Sequence, residues 1–345
     1  MINFEFLRHA QNGTPCSAKR RYRRRNITYN KERDMEHFEA IIIGGGSAGL
    51  AAAIALGRSR RTVLIIDEGN PRNAAARHAH NILGHEGINP LDLLSRGRQE
   101  AISYGVQIIE GAVDNLTGSL DAGFSVSTAG QSFTAERIVL ATGLVDDLPA
   151  IPGLARAWGD TAIHCAYCHG WEVRDQEILV LGIGPMSTHQ AMMFSQLSPK
   201  ITFVNHTPEA LNDENRATLA ALRIPVVEQS VQAIDFDAGG NLDSVKLEDG
   251  RKISAQALVI ASQMNAQASL YLSLGGQLAE HPLGTFIHVN EMGATALPGV
   301  YAAGNVSNLG AMVMAAAASG TIAGAAINAD LLGNQLAKVQ AQAKL

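Results

Sequence analysis

Three cysteines occur in the 345 residues, and two of them, Cys165 and Cys168, stand two positions apart. Thiols at that spacing can close a disulfide with each other and reopen it. An isolated pair of this kind points to redox exchange more than to a structural disulfide framework. The reactive species is the thiolate, so such a pair needs control of its protonation. His169 follows directly, and an imidazole titrates near neutrality, so it could take and return the protons that exchange moves. An ordinary surface histidine is the plainer alternative. Structural zinc is the competing chemistry, but no second Cys-x-x-Cys follows and the flanking His164 and His169 are the sulfurs' immediate neighbours. His164 reads as a neighbour without a chemical role. Trp171 reads as packing on the core, with a place in a substrate groove as the alternative.

A redox pair needs an electron partner, and the elements upstream supply a site for one. The apolar run 38–43 leads into Gly44-Gly45-Gly46-Ser47-Ala48-Gly49 and then into the helix former 50–56. Gly44 permits the tight turn, Gly46 lets backbone N–H groups reach a pyrophosphate, and Gly49 lets helix and strand pack closely. Ser47 and Ala48 open the helix whose positive end would hold the phosphates. A second strand, 62–66, ends at Asp67, 18 positions beyond Gly49, near the spacing of a ribose-binding carboxylate. Strand, loop, helix, strand and acid in this order identify a dinucleotide fold, where a lone glycine pattern would not. Two later segments favour FAD over a nicotinamide. Residues 137–143 end a strand in Ala141-Thr142-Gly143. Residues 297–305 run through a strand to Gly304-Asn305, and a small-residue helix begins near Ala311.

A second glycine turn, Gly182-Ile183-Gly184-Pro185-Met186-Ser187, follows the strand 177–181. Pro185 removes a backbone donor beside the phosphate position. The following strand ends in Asn205-His206-Thr207-Pro208, with neither an arginine cluster for a 2′-phosphate nor an acid before Glu209.

These motifs together resemble the low-molecular-weight thioredoxin reductase family of FAD disulfide oxidoreductases, over roughly residues 36–335. The resemblance implies an α/β fold of two Rossmann-like, three-layer ββα dinucleotide-binding domains, the second inserted in the first. The FAD-binding domain would be split, 36–150 and 268–340, with a pyridine-nucleotide-type domain carrying the dithiol at 151–267. It also implies that Cys168 lies nearer the flavin and Cys165 meets the substrate, and that the protein is a homodimer. Three departures matter. His169 stands where the family usually has an Asp, so 165–172 looks closer to the Cys-x-x-Cys-His-Gly branch that includes dithiol oxidases of gliotoxin- and holomycin-type compounds. The second nucleotide loop has lost its usual features, so NADPH use is doubtful. Asn305 replaces the usual Asp, and its amide oxygen can still accept from the ribityl chain. The histidine-rich stretch 77–81 with His85 imitates a metal site but reads as a loop near the flavin, and no metal is expected.

Length and composition, with 46% hydrophobic and 17% charged residues, suit a globular chain of two domains. Of 27 basic and 32 acidic residues, nine and three fall in 1–34, so the remainder is near −11. That balance argues against a nucleic-acid footprint on the folded part. The basic extension 1–34 is expected to be disordered. No membrane association is expected, since 311–327 is interrupted by Ser319, Gly320, Thr321 and Gly324 and reads as a buried helix. Without an apolar leader of secretory type, the reading is cytoplasmic. The expected partner is a small dithiol or disulfide, or a thioredoxin-like protein. Three functions stay open: an FAD dithiol/disulfide oxidoreductase without ordinary NADPH use, an NADPH-dependent thioredoxin reductase, and a flavin-bearing redox sensor.

Overall fold

The computed structural model describes residues 35–208 and 211–343. The basic extension, Cys16 and Glu209 lie outside them. The strand Glu36–Ile43 runs parallel to Val63–Asp67 on one side and to Gln131–Leu140 on the other, with Ile41 opposite both Leu64 and Ile138. A strand covered on both faces reads as a continuous apolar run and not as an alternation. Ala40 and Ile42 pack into one core, Ile41 and Ile43 into the other. Gln107–Glu110 extends the sheet beyond Val63–Asp67. On the far side, Gln131–Leu140 divides its outer edge. Its first half pairs antiparallel with Gly123–Thr128, and its last residues pair parallel with Val300–Ala302.

The helix Ser47–Arg58 lies against the long helix Val313–Gln342 because glycines let the two backbones touch. A Cβ added at Gly320 would stand 2.0 Å from the Ala48 carbonyl oxygen. Contrary to the interrupted run read from the sequence, Val313–Gln342 is long and apolar enough to cross a membrane by length and composition. Its buried positions Ala316, Gly320, Ala323, Gly324, Ile327 and Leu331 nevertheless pack inside the protein.

A second, fully parallel sheet runs in the order Val226–Val227, Ile201–Asn205, Ile178–Gly182, Ala257–Ile260, Ala162–Ile163. An antiparallel meander, Val231–Phe236, Leu242–Leu247 and Lys252–Ser254, covers one face, with Val245 and Leu247 against Leu179 and Leu258. The helices Met186–Ser195 and Asp213–Ala221 cover the other, through Ala191, Phe194 and Leu219. This is the expected three-layer α/β arrangement. Every strand of the second sheet falls between Gln131–Leu140 and Val300–Ala302 in the chain, so the second lobe is inserted in the first. The two crossings, Leu144–Asp147 and Gln263–Ala266, pair antiparallel with each other.

Candidate active site

A cleft of about 990 Å³ runs from the first glycine turn to the dithiol. At the turn, Gly44 has φ +104° and donates to the Ile66 carbonyl at 2.8 Å. A Cβ at Gly49 would lie 1.9 Å from the Gly44 oxygen, whereas one at Gly46 would meet no atom within 4 Å. The packing therefore closes one glycine against the protein and leaves the other facing open space. The Ser47 and Ala48 amides, in the first helical turn, have no acceptor among the described residues. Free donors at a helix start beside an open glycine are what a pyrophosphate requires. Asp67 is placed at the strand end, but both its oxygens are engaged. One accepts from the Gly45 N–H at 2.7 Å and the other is paired with Arg98. The exposed Glu68 beside it also lines the cleft, a carboxylate that spacing alone passed over.

Ala141, Thr142 and Gly143 form the next stretch of wall. Ala141 donates to the Ile43 carbonyl at 2.8 Å and the Thr142 hydroxyl to the Gln267 carbonyl at 2.6 Å. Gly304 and Asn305 close the far side. The Asn305 amide nitrogen donates to the carbonyls of Asn308, Leu309 and Ala311 at 3.0–3.2 Å. An Asp there could make none of these bonds. They orient the amide with its oxygen left over to accept.

Cys165 precedes a single helical turn, Ala166–His169, and its carbonyl accepts from the N–H groups of Cys168 (3.2 Å) and His169 (3.1 Å). Both thiols are free, half-buried, and line the same cleft, as does His169. The hydrogen bond from Cys168 brings the Cys165 thiol down to about 7, against the effect of burial. That same bond, with burial, pushes Cys168 up. Cys165 therefore loses its proton before Cys168 and is the sulfur poised as thiolate. Burial holds His169 below the ordinary imidazole value, with Glu172 acting in the opposite direction.

Residues that the sequence did not single out surround this pair. Arg72 meets Asp146 through two bonds of 2.6 Å, and the Ser262 hydroxyl donates to the same carboxylate at 2.6 Å. Burial pushes Asp146 up, but these bonds hold it below the usual carboxylate range. His164, read as inert, stands 3.4 Å from Arg72 and stacks on Trp158 at 5.7 Å. Burial and the Arg72 charge push it down to about 4, so it is neutral at physiological pH. Trp171 does not pack on the core. It is 65% exposed, with the Arg174 guanidinium 4.2 Å above its ring. The histidine loop reaches the dithiol segment directly, as Asn81 donates to the Tyr167 carbonyl at 2.7 Å. No cluster of three metal-ligating side chains occurs among the described residues.

At the second glycine turn, Pro185 precedes the helix and the Ser187 hydroxyl takes the Ile183 N–H at 3.2 Å, so two potential phosphate donors are missing or used. The structure does bring a cation to the end of Ile201–Asn205. Arg216 approaches through Glu228, which it pairs with and which also accepts from Asn205 at 2.8 Å. Glu228 already neutralises that arginine.

Residues 38–320 match the family model described as pyridine nucleotide-disulphide oxidoreductase. The thioredoxin reductase sirT of Leptosphaeria maculans is 31% identical over 326 residues, covering 87% of this chain and 96% of that protein. The thioredoxin reductase tcpT of Claviceps purpurea is 30% identical, covering 86% and 95%. The crystal structure of HlmI superposes with a TM-score of 0.84 at 35% identity, over 89% of this chain and 97% of HlmI.

Proposed function

The chain belongs to the pyridine nucleotide-disulphide oxidoreductase family as an FAD-dependent, thioredoxin reductase-like disulfide oxidoreductase, and from that premise we propose that it oxidises a small dithiol without ordinary NADPH use. The observation that carries this reading is the continuity of the cleft, with Cys165, Cys168 and His169 at one end and the open face of Gly46 at the other. We assign 36–150 and 268–340 to FAD and 151–267 to the dithiol domain. Gly44, Gly46, Ser47, Ala48 and Gly49 would hold the pyrophosphate, Asp67 or Glu68 the ribose, and Asn305 the ribityl chain. Ala141, Thr142, Gly143 and Gly304 line the middle.

Bound FAD supplies the acceptor for the electron pair. The rest falls to this chain. With Cys165 and Cys168 joined, a substrate thiolate attacks Cys165, forming a mixed disulfide and breaking the Cys165–Cys168 bond. The second substrate thiolate attacks the substrate sulfur of that mixed disulfide, closing the product and releasing Cys165. Two protons leave the substrate and two electrons enter the cysteine pair. The pair then keeps one proton on Cys168. That proton must leave before the electrons can pass on, and His169, the next residue and held below the ordinary imidazole value by burial, would accept it. Arg72, fixed by Asp146, adds positive charge that favours the thiolates.

The donor missing at Pro185, the Ile183 N–H taken up by Ser187, and the neutralised Arg216 support oxygen or another protein as the redox partner in place of NADPH. A thioredoxin reductase with an unusual cofactor loop draws on that same Arg216, should Glu228 release it. Anaerobic stopped-flow mixing with a small dithiol, NADPH and NADH separates the two. Fast bleaching by the dithiol is expected, and rapid reduction by micromolar NADPH would overturn the oxidase reading. A cytoplasmic homodimer is the setting we infer. Light scattering showing only a 36.5 kDa species would refute the dimer.

A further inference from the structure

His80 belongs to the loop after the first nucleotide turn, yet it faces the dithiol helix. Its Nδ1 lies 2.7 Å from Glu86 Oε1, a residue of its own loop. Its Nε2 lies 3.4 Å from Glu172 Oε1, on the segment that carries the cysteines. Its ring meets that of His169 edge-on, with centroids 6.3 Å apart. The arrangement is anchored on both sides. The Asn81 N–H donates to the other Glu86 oxygen at 3.0 Å, and the Asn81 amide holds the Tyr167 carbonyl. His80 is the least exposed of the three charged partners, at 17% against 37% for Glu172 and 68% for Glu86.

We propose that His80 is a positioning residue for His169, dividing the Glu172 carboxylate between the two imidazoles and so setting the pH range over which the dithiol exchanges. The inference rests on the dithiol reading above. The groups that act on His169 are Glu172 and Asp160, which favour its cation, and His80 and His164, which oppose it; the thiols of Cys165 and Cys168 adjoin it in the chain. His80 itself is bounded by Glu86, Glu172, His78 and His169. A carboxylate stands near each ring nitrogen of His80, Glu86 at Nδ1 and Glu172 at Nε2. His80 therefore acts on His169 twice, opposing its cation across the edge-on contact and competing for Glu172.

Two substitutions should therefore move His169 in opposite directions. His80→Gln removes the ring that opposes the His169 cation and leaves Glu172 to His169 alone, so His169 should hold its proton to higher pH. Glu172→Gln leaves His169 half-buried and facing His80, so it should lose its proton at lower pH. Each shift is expected to be on the order of half to one pH unit, within what a charge at this range produces. Glu86→Gln, at an exposed site where folding is not at stake, loosens the hold on the His80 ring and should move His169 upward by a smaller amount. A loosened structure would not give opposite signs.

The experiment is NMR titration of ring-labelled histidines in the FAD-loaded protein, with the His169 signal assigned through His169→Gln. The pH profile of dithiol oxidation is measured in parallel, and its acid limb should follow the His169 midpoint. Opposite shifts in His80→Gln and Glu172→Gln, with Glu86→Gln following His80→Gln, establish the positioning role. Shifts of one sign, or an unmoved His169 midpoint, overturn it. Opposite NMR shifts in a protein that never turns over a dithiol would support the positioning and reject the functional reading. Normal turnover with unmoved midpoints would do the reverse.

Discussion

Valine at Gly46 should empty the protein of flavin while leaving its fold nearly untouched. Gly46 has φ −74° and ψ −173°, an extended conformation open to any L-residue, and a Cβ there meets no atom within 4 Å. Losing glycine's freedom in the unfolded chain favours the variant by about 0.4–1 kcal/mol. Valine is a poorer residue than glycine before a helix, which offsets a few tenths of that to about 1 kcal/mol. The net change in the flavin-free protein is therefore within about 1 kcal/mol, or roughly 1–2 °C in Tm for a chain of this size. Binding is another matter. The branched side chain stands where a pyrophosphate must approach the Ser47 and Ala48 amides. Losing two hydrogen bonds to a charged group costs about 3–6 kcal/mol, a hundredfold or more in affinity. Gly49→Ala is the control with the opposite pattern, since its Cβ would lie 1.9 Å from a backbone oxygen and the helix must move. Flavin absorbance per protein and thermal unfolding after flavin removal report the two effects separately. A full flavin complement in Gly46→Val would refute the site. So would a flavin-free Gly46→Val that unfolds more than about 10 °C below flavin-free wild type.

The cysteines should separate by role. Cys165→Ser should leave Cys168 facing the flavin and give a long-wavelength thiolate–flavin absorbance, whereas Cys168→Ser should keep the oxidised flavin spectrum when dithiol is added. Alkylation of Cys165 in the reduced protein should rise with pH about a midpoint near 7, as expected for a thiol lowered to about 7; a midpoint above 8.5 would show that the Cys168 hydrogen bond is absent. Asp146→Asn should destabilise by about 2–3 kcal/mol, below the full figure for a buried pair because Arg72 remains 23% exposed. The Asp146 carboxyl is depressed in the fold, so its contribution is present above the usual carboxylate pKa of about 3.9 and lost as pH falls through the lower folded value. Urea titrations from pH 7 to pH 3 should therefore show the wild-type advantage over Asp146→Asn shrinking only below about pH 4; an advantage that is flat with pH would contradict the pairing. Glu228→Gln should free Arg216 and speed flavin reduction by NADPH several-fold over wild type, and unchanged reduction would remove Arg216 from consideration as a 2′-phosphate ligand.

The elements that carry the proposed chemistry were legible in the sequence where they are built from contiguous residues. Strand, glycine turn and helix at 38–56 are local, as are the Cys165–Cys168 spacing and the place of His169 beside it, because backbone geometry ties neighbours in the chain to neighbours in space. The glycine-lined helix packing was half legible: small residues showed in 311–327, but not that Gly320 and Gly324 face Ala48 and Ala52. Trp171 was misjudged because a large aromatic is highly buried on average, and only the placement of the turn puts it in solvent under Arg174. The electrostatics of the site were not legible at all. Asp146 meets Arg72 and Ser262, His80 meets Glu172, Arg98 meets Asp67 and Arg216 meets Glu228, most of them far apart in the chain. Coulomb and hydrogen-bond partners are chosen by separation in space, which falls off over a few ångströms. The packing within each lobe decides that separation for Arg72, Arg98 and Arg216, and the meeting of the two lobes decides it for His80 with Glu172 and Ser262 with Asp146. Sequence spacing carries no measure of either.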